Sequence, residues 1–207
     1  MNLWDERYRT DGFLFGTAPN AFLAAQRGRL PSHGLALAVA DGEGRNGVWL
    51  AEQGLDVLAV DASPVGLAKG QQWAAERGVT LRQELADLAH WDFGVDRFDV
   101  IAAIFIQFAD PALRARLFAG MQSALKPGGL LLLEGYRPEQ LDYGTGGPSA
   151  VENLYTEALL RGAFGAMQIE QLLAYDAEIH EGVGHKGMSA LIDLVARKPP
   201  VRSRQDA

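Results

Sequence analysis

Three glycines, Gly42, Gly44 and Gly47, stand in the string A-D-G-E-G-R-N-G, and Asp61 follows Gly42 by 19 residues. Glycines in this arrangement let the backbone turn tightly and bring its N–H groups close to a ligand where a helix begins. A carboxylate about 20 residues further on can accept two hydrogen bonds from the vicinal hydroxyls of a ribose. The chemistry that suits this spacing is the binding of a nucleoside. The literal G-x-G-x-x-G at 42–47 also satisfies the dinucleotide pattern, and a tight turn with no ligand satisfies it as well, so the glycines alone leave the choice open.

The flanking segments say how these residues are positioned. An apolar run, Leu35 to Ala40, precedes the glycines; an amphipathic segment ending at Gly54 follows, and then a second apolar run ending in Asp61. Short apolar runs suit strands buried on both faces, and a helix between two of them makes a right-handed crossover to a parallel partner. The turn and Asp61 then share one end of a parallel sheet, where ligands of open α/β sheets bind.

Composition bounds the remainder. A chain of 207 residues with 48% hydrophobic and 22% charged residues is one ordinary domain with a substantial core. Its 19 basic against 26 acidic residues give a net charge of −7, which disfavours a polyphosphate partner. There is no cysteine, which removes disulfides, thiolate metal sites and cysteine nucleophiles together. The polar start M-N-L-W-D-E-R-Y-R and the lack of long apolar runs predict a soluble, cytoplasmic chain with no membrane partner.

In chain order, residues 1–34 form a leader carrying Trp4, Tyr8, Phe13, Phe15 and Phe22; aromatics this dense predict a flap or short helices folded back on the domain. Packing and a lid role fit it equally. A domain over 35–197 follows, and 198–207 reads as a frayed tail. After Asp61, Ser63-Pro64 starts a helix to about Arg77; Val79–Glu84 reads as a third strand and Phe98–Ile104 as a fourth. Asp110-Pro111 caps a helix through Leu125, Lys126-Pro127-Gly128-Gly129 reads as a turn, and Leu130–Glu134 as a fifth strand. A polar loop to 149, a helix over roughly Ala150–Arg161, and two strands, Gln168–Tyr175 and Ser189–Ala196, complete the pattern. The loop between those strands, H-E-G-V-G-H-K-G, gives a hairpin-like antiparallel ending. The class is α/β, a doubly wound, mostly parallel sheet.

A two-domain dehydrogenase needs a catalytic domain that the leader cannot supply, and a short-chain reductase needs a Tyr with Lys four residues later, which no tyrosine here has. A single nucleoside site with an antiparallel ending fits S-adenosylmethionine better. The chain resembles the class I S-adenosylmethionine-dependent methyltransferases over nearly its whole length, through A-D-G-E-G-R-N, V-D-A-S-P-V-G-L-A, L-K-P-G-G and the antiparallel ending. Within that class it is most similar to the tellurite-resistance-type methyltransferases, through W-D-E-R-Y, F-G-x-x-P-N, G-E-G-R-N, E-G-Y-x-P-E-Q-L with T-G-G-P, and the late H-K. The resemblance implies a seven-stranded Rossmann-like sheet of order 3-2-1-4-5-7-6 with strand seven antiparallel. It also implies methyl transfer to a small acceptor, an oxyanion of the tellurite or selenite type among the possibilities, with S-adenosylhomocysteine as product.

It further implies roles. Ala40, Asp41, Gly42, Gly44, Arg45 and Asn46 would hold the methionine part of the cofactor. Asp61 would bind the ribose and Ala62 line the adenine face, with Ala86 donating its backbone N–H and Asp87 accepting from the adenine amino group. Phe105 and Gln107 would border the sulfonium and the acceptor. His185 would act as base or orienter, and Lys186 with Arg45 as anion contacts, Lys186 standing where those relatives have Arg. Two positions depart from the pattern: Ala38 replaces an acidic residue and Ala40 replaces the first motif glycine. A His180–His185 metal pair and a solvated hairpin loop are the competing readings of the late histidines, with no metal expected. An NAD(P)-binding reductase, or a protein that binds S-adenosylmethionine without transferring its methyl group, are the competing functions.

Overall fold

A computed structural model of the chain describes residues 3–200. The leader folds into helix α1 (Leu3–Tyr8), helix α2 (Ala21–Ala25) and a 3-10 turn at Arg27–Arg29. Then β1 (Leu35–Val39), α3 (Arg45–Glu52), β2 (Asp56–Asp61), α4 (Pro64–Glu76), β3 (Arg82–Leu85), β4 (Phe98–Ile104) and α5 (Pro111–Ala124) alternate. β5 (Leu125–Tyr136), α6 (Gln140–Tyr143), α7 (Glu157–Phe164), β6 (Gln168–Glu181) and β7 (His185–Arg197) complete the domain. The seven strands form one sheet in the order β3-β2-β1-β4-β5-β7-β6. β1 to β5 pair in parallel and β7 runs antiparallel to both β5 and β6, as the resemblance implies.

Period-two alternation divides the core between the two faces of the sheet. Leu37, Ile101, Leu131 and Leu133 point one way and meet Leu117, Phe118 and Met121 of α5 and Leu160 and Phe164 of α7. Ala36, Val100, Leu130 and Leu132 point the other way and meet Val48 and Leu50 of α3, Ala74 of α4 and Phe22 and Leu23 of α2. The helix starts carry the caps legible in the sequence: Ser63 accepts from the Gly66 N–H with Pro64 in the first turn, and Asp110 accepts from the Leu113 N–H ahead of Pro111.

Several boundaries differ from the sequence reading, each for a tertiary reason. β3 is Arg82–Leu85 rather than Val79–Glu84, because Val79 N–H closes the end of α4 by bonding to the Ala74 carbonyl. β5 begins at Leu125, with a register shift in its pairing to β4 between Phe98 and Val100 that absorbs the glycine pair; the turn read at Lys126–Gly129 is a bulge. The helix expected over Ala150–Arg161 breaks into a 3-10 turn, Val151–Asn153, and α7. Tyr155 is fully buried between them, with its N–H on the Tyr136 carbonyl, and Thr156 caps the second piece.

The loop read at 180–187 shrinks to Gly182–Gly184, since β6 and β7 stay paired as far as Glu181 opposite His185. The ordered chain also runs past residue 197. Lys198 exchanges backbone hydrogen bonds with Gly128 and Gly129, and its ammonium donates to Asp96. The expected fraying at 201–207 lies outside the described residues.

Candidate functional site

The turn after β1 needs left-handed backbone. Gly42 and Gly44 have φ of 57° and 87°, and Gly44 ends the turn as N-cap of α3. A side chain at Gly44 would strike the Gly70 backbone of α4 at 2.8 Å, so the turn also requires glycine for close approach. Ala40 has φ of 50°, the same left-handed conformation, where the sequence offers alanine instead of glycine. Asp41 closes the turn by accepting from the Gly47 N–H with both carboxylate oxygens at 3.1 Å. Burial, with Asp61 adding to it, pushes the Asp41 carboxyl up to about 7.

Asp61 ends β2 beside this turn. It is 5% exposed, and its two oxygens accept from the Gly42 and Ser63 N–H groups at 2.8 Å each. Burial raises its pKa against these donors. Each carboxylate oxygen keeps a second acceptor site, so a ribose diol can still be bound.

A cleft with about 980 Å³ of atom-free space, part of it open to solvent, lies at this end of the sheet. Ala40, Asp41, Arg45, Asn46, Asp61, Ala62, Asp87, Phe105 and His185 all line it, so nine of the site residues read from the sequence converge there. Asp87 stands at the exposed edge, hydrogen-bonded to the Ala89 N–H and to His90, and those contacts lower its pKa. Ala86 is placed differently. Its N–H bonds to the Asp61 carbonyl at 3.0 Å, and the residue does not line the cleft.

The leader supplies the opposite wall. Tyr8 is 4% exposed and stacks on Trp4 at 5.7 Å, and both line the cleft with Phe15. The segment is tied down at several points. Lys69 donates to the Thr10 and Gly12 carbonyls and to Glu43, Glu43 accepts from the Leu14 N–H at 2.7 Å, and Asn20 donates to Glu134 and Glu181. The density of aromatics announced a folded leader; its place over the cleft depends on these long-range bonds, which no local pattern signals.

The acceptor-side residues are corrected in part. Arg45 is buried and held by Glu181 at 2.7 Å and by the Phe15 carbonyl at 3.3 Å, so its guanidinium is engaged. Lys186 faces outward on β7, and the alternation that turns it out turns His185 in, so the adjacent pair never meets on one face. His180, opposite Lys186, is likewise exposed, which separates it from His185 and removes the metal-pair geometry. Gln107 is 3% exposed and spent on structure: it donates to the Tyr136 and Asn153 carbonyls and accepts from the Tyr136 N–H at 2.6 Å.

His185 is held in a fixed place. Its ring centroid lies 4.4 Å from those of both Phe15 and Phe105, and Nδ1 lies 3.9 Å from Glu181 Oε2, beyond hydrogen-bond reach. Burial lowers its pKa, and the Arg45 charge adds to this, so the imidazole is neutral at pH 7. Burial works to raise the Glu181 carboxyl, but His185 and Arg45 hold it down at about 2.

With the geometry in view, comparison with known proteins shows what the chain is similar to. Residues 36–129 match a family described as a methyltransferase domain. That match covers somewhat under half of the chain. The chain has the fold of TehB from Haemophilus influenzae, with a TM-score of 0.73, 17% identity, and coverage of 94% of this chain and 65% of that one. A protein solved in connection with the conversion of a disulfide bond into a thioacetal group during echinomycin biosynthesis has the same fold. There the TM-score is 0.76 at 17% identity, covering 98% of this chain and 91% of that one. Among curated relatives, Hemagglutinin 1 of Eikenella corrodens is 30% identical over 92 residues, 44% of this chain and 31% of that protein. An uncharacterised protein of Mycobacterium tuberculosis is 38% identical over 74 residues, 35% of this chain and 27% of that protein. The chain thus spans less than a third of the length of the curated relatives it matches.

Solved proteins of this fold include an S-adenosylmethionine-dependent methyltransferase from Methanosarcina mazei, and S-adenosylmethionine is the cofactor that the resemblance implies. The residues present fit it: the left-handed glycine turn leaves no side chain above the helix start, Asp61 has acceptor capacity for a ribose, and Asp87 stands at the far edge. The departure at Ala38 also has a place in the structure, since that side chain is buried within β1 and Asp41 is the carboxylate at the start of the turn.

Proposed function

We propose that the chain is an S-adenosylmethionine-dependent methyltransferase that acts on a small molecule in the cytoplasm. The observation that carries the reading is the joint placement of the glycine turn, Asp61 and Asp87 along one cleft in a methyltransferase domain. When bound, S-adenosylmethionine supplies an electrophilic methyl carbon on a sulfonium sulfur. The chain's own residues then do the rest. Asp61 and the turn hold the nucleoside, Phe105 offers an aromatic face at the inner end, and Trp4, Tyr8 and Phe15 of the leader exclude water. A cleft walled by aromatic side chains suits a small acceptor better than a macromolecule, and the net charge of −7 argues in the same direction. No helix among the described residues is long and apolar enough to cross a membrane.

The oxyanion acceptor that the resemblance implied loses support, because Arg45 is taken by Glu181 and Lys186 faces outward. A nicotinamide reductase is not favoured by any observation. The test is incubation of the purified chain and a cell-free pool of metabolites with S-adenosylmethionine carrying a tritiated methyl group. Label passing into dialysable molecules supports the reading. Label in protein or nucleic acid contradicts the small acceptor, and tight S-adenosylhomocysteine binding without transfer of any label would leave a binding protein only.

A further inference from the structure

A second cavity opens off the first. It holds about 660 Å³ of atom-free space, part of it open to solvent, and shares Trp4, Phe15, Phe105, Phe108 and His185 with the cofactor cleft. Its walls are aromatic: Phe105 stacks on Tyr136 at 4.6 Å, and His185 sits between Phe15 and Phe105. The backbone completes it. Gly184 and Gly147 pass so close to the Phe15 and Tyr136 rings that a side chain at either would collide with them.

Two buried polar atoms here have no hydrogen-bond partner among the described residues, Tyr136 Oη and His185 Nδ1, and Tyr136 is only 2% exposed. A buried polar group left unpaired costs about 1–3 kcal/mol, so Tyr136 Oη marks a place where a ligand's polar atom completes the bonding, while His185 Nδ1 faces Glu181. The charges around it are settled. Glu181 and Arg45 pair with each other behind His185, the exposed Arg7 stacks its guanidinium 4.6 Å from the Trp4 ring, and Glu134 lies beneath Tyr136 with its pKa raised by burial. Burial keeps the Tyr136 hydroxyl protonated, and Glu134 and Glu181 reinforce this.

Resting on the methyltransferase reading, we infer that this second cavity takes a neutral acceptor with a small aromatic or apolar body. Its nucleophile is a weakly acidic heteroatom, the sulfur of a thiol or the oxygen of a phenol, and His185 is the base that removes its proton. The Nδ1 edge of His185 is turned to Glu181, which leaves Nε2 for the acceptor, and closing the 3.9 Å gap would let Glu181 orient the ring and stabilise the imidazolium. The acceptor's X–H bond breaks and its proton passes to His185. The freed lone pair forms the new X–CH₃ bond while the S–C bonding pair leaves with the thioether product. Tyr136 donates to the same heteroatom, and the aromatic walls hold its body. Arg7, the charged side chain on this cavity's wall, is exposed and lies over the Trp4 and Phe15 rings, so an acceptor's body meets aromatic faces and not a buried cation.

The test uses the full chain loaded with S-adenosylhomocysteine and three probes: benzenethiol, 4-nitrophenol and sodium tellurite. Quenching of tryptophan fluorescence, which Trp4 reports, is expected with benzenethiol or 4-nitrophenol and not with tellurite. With S-adenosylmethionine, methyl transfer to the same probe is expected, and transfer to only one of the two names the heteroatom. His185→Gln should lower kcat by about 10²-fold or more, leave S-adenosylhomocysteine binding unchanged, and recover as the pH rises above the probe's own pKa, because the ionised probe no longer needs a base. Three results would overturn the inference: tellurite alone binding or reacting, neither organic probe binding or reacting, or full activity of His185→Gln at low pH. Failure to bind S-adenosylhomocysteine at all would instead sink the methyltransferase reading, so the two failures are distinguishable.

Discussion

Glu134 and Asp193 are register partners across the antiparallel β5–β7 pair, two carboxyls that meet in the core beneath the cleft. Burial pushes Glu134 well above the usual carboxylate range, with Asp193 and Glu181 adding, and pushes Asp193 up to about 6. The pair is stable while one proton is shared and strained once both are ionised. Asn20 donates to Glu134, so this pair also carries one of the bonds that seat the leader.

Groups whose folded pKa is raised stabilise the fold below their unfolded values and lose that contribution as pH rises through the folded ones. Glu134, Asp193 and Asp41 all shift this way. The melting temperature should fall between pH 5 and pH 8. Glu134→Gln, which can still accept from Asn20 and donate to Asp193, should flatten that fall and gain about 1 kcal/mol at pH 8, roughly 3 °C. A wild-type melting temperature that climbs over this range would contradict the assignment.

The Arg45–Glu181 pair ties the start of α3 to the tip of β6, with both side chains about nine-tenths buried. Removing one partner strands a charge. Glu181→Gln is expected to cost about 3 kcal/mol in urea unfolding, and adding Arg45→Gln to the same chain should recover most of the loss. A loss in the double variant equal to the sum of the losses in the two single variants would show that the pair is not coupled.

Ala40 occupies a left-handed conformation that costs an L residue about 1–2 kcal/mol. Ala40→Gly relieves this and loosens the unfolded chain by somewhat less, so we expect a net gain of about 0.5 kcal/mol in unfolding free energy. A clear loss would mean that the Ala40 methyl group packs usefully against the cleft wall.

Asp61→Asn keeps one acceptor oxygen and removes the charge. It should weaken S-adenosylhomocysteine binding about tenfold or more by calorimetry, with the unfolding free energy measured alongside because Asp61 also holds the Gly42 and Ser63 N–H groups. Unchanged affinity would remove Asp61 from the ribose site.

The parts of this molecule legible in the sequence are those written locally. The β1–turn–α3–β2 unit, the caps at Ser63 and Asp110, and the left-handed turn all follow from neighbours in the chain. The strand order came with the resemblance and not from periodicity. What stayed hidden was set by distant pairing. His185 and Lys186 read as two groups on one loop, and only the continued β6–β7 ladder turns one inward and the other out. Arg45 read as a free cation because its partner lies 136 residues away. Asp193, a carboxylate in the apolar string L-I-D-L-V, went unread, and its meaning appears only when β5 places Glu134 opposite.

The central claim is that the cleft beside Asp61 binds an adenosyl cofactor. It is tested most directly by thermal melting of the chain with S-adenosylmethionine, S-adenosylhomocysteine, NADH and NADPH in parallel. A ligand at about a hundred times its dissociation constant adds roughly 2.7 kcal/mol to the folded state, which is readily visible as a shift. A rise with the two adenosyl compounds alone is the predicted result. A rise with a nicotinamide cofactor alone would contradict the account.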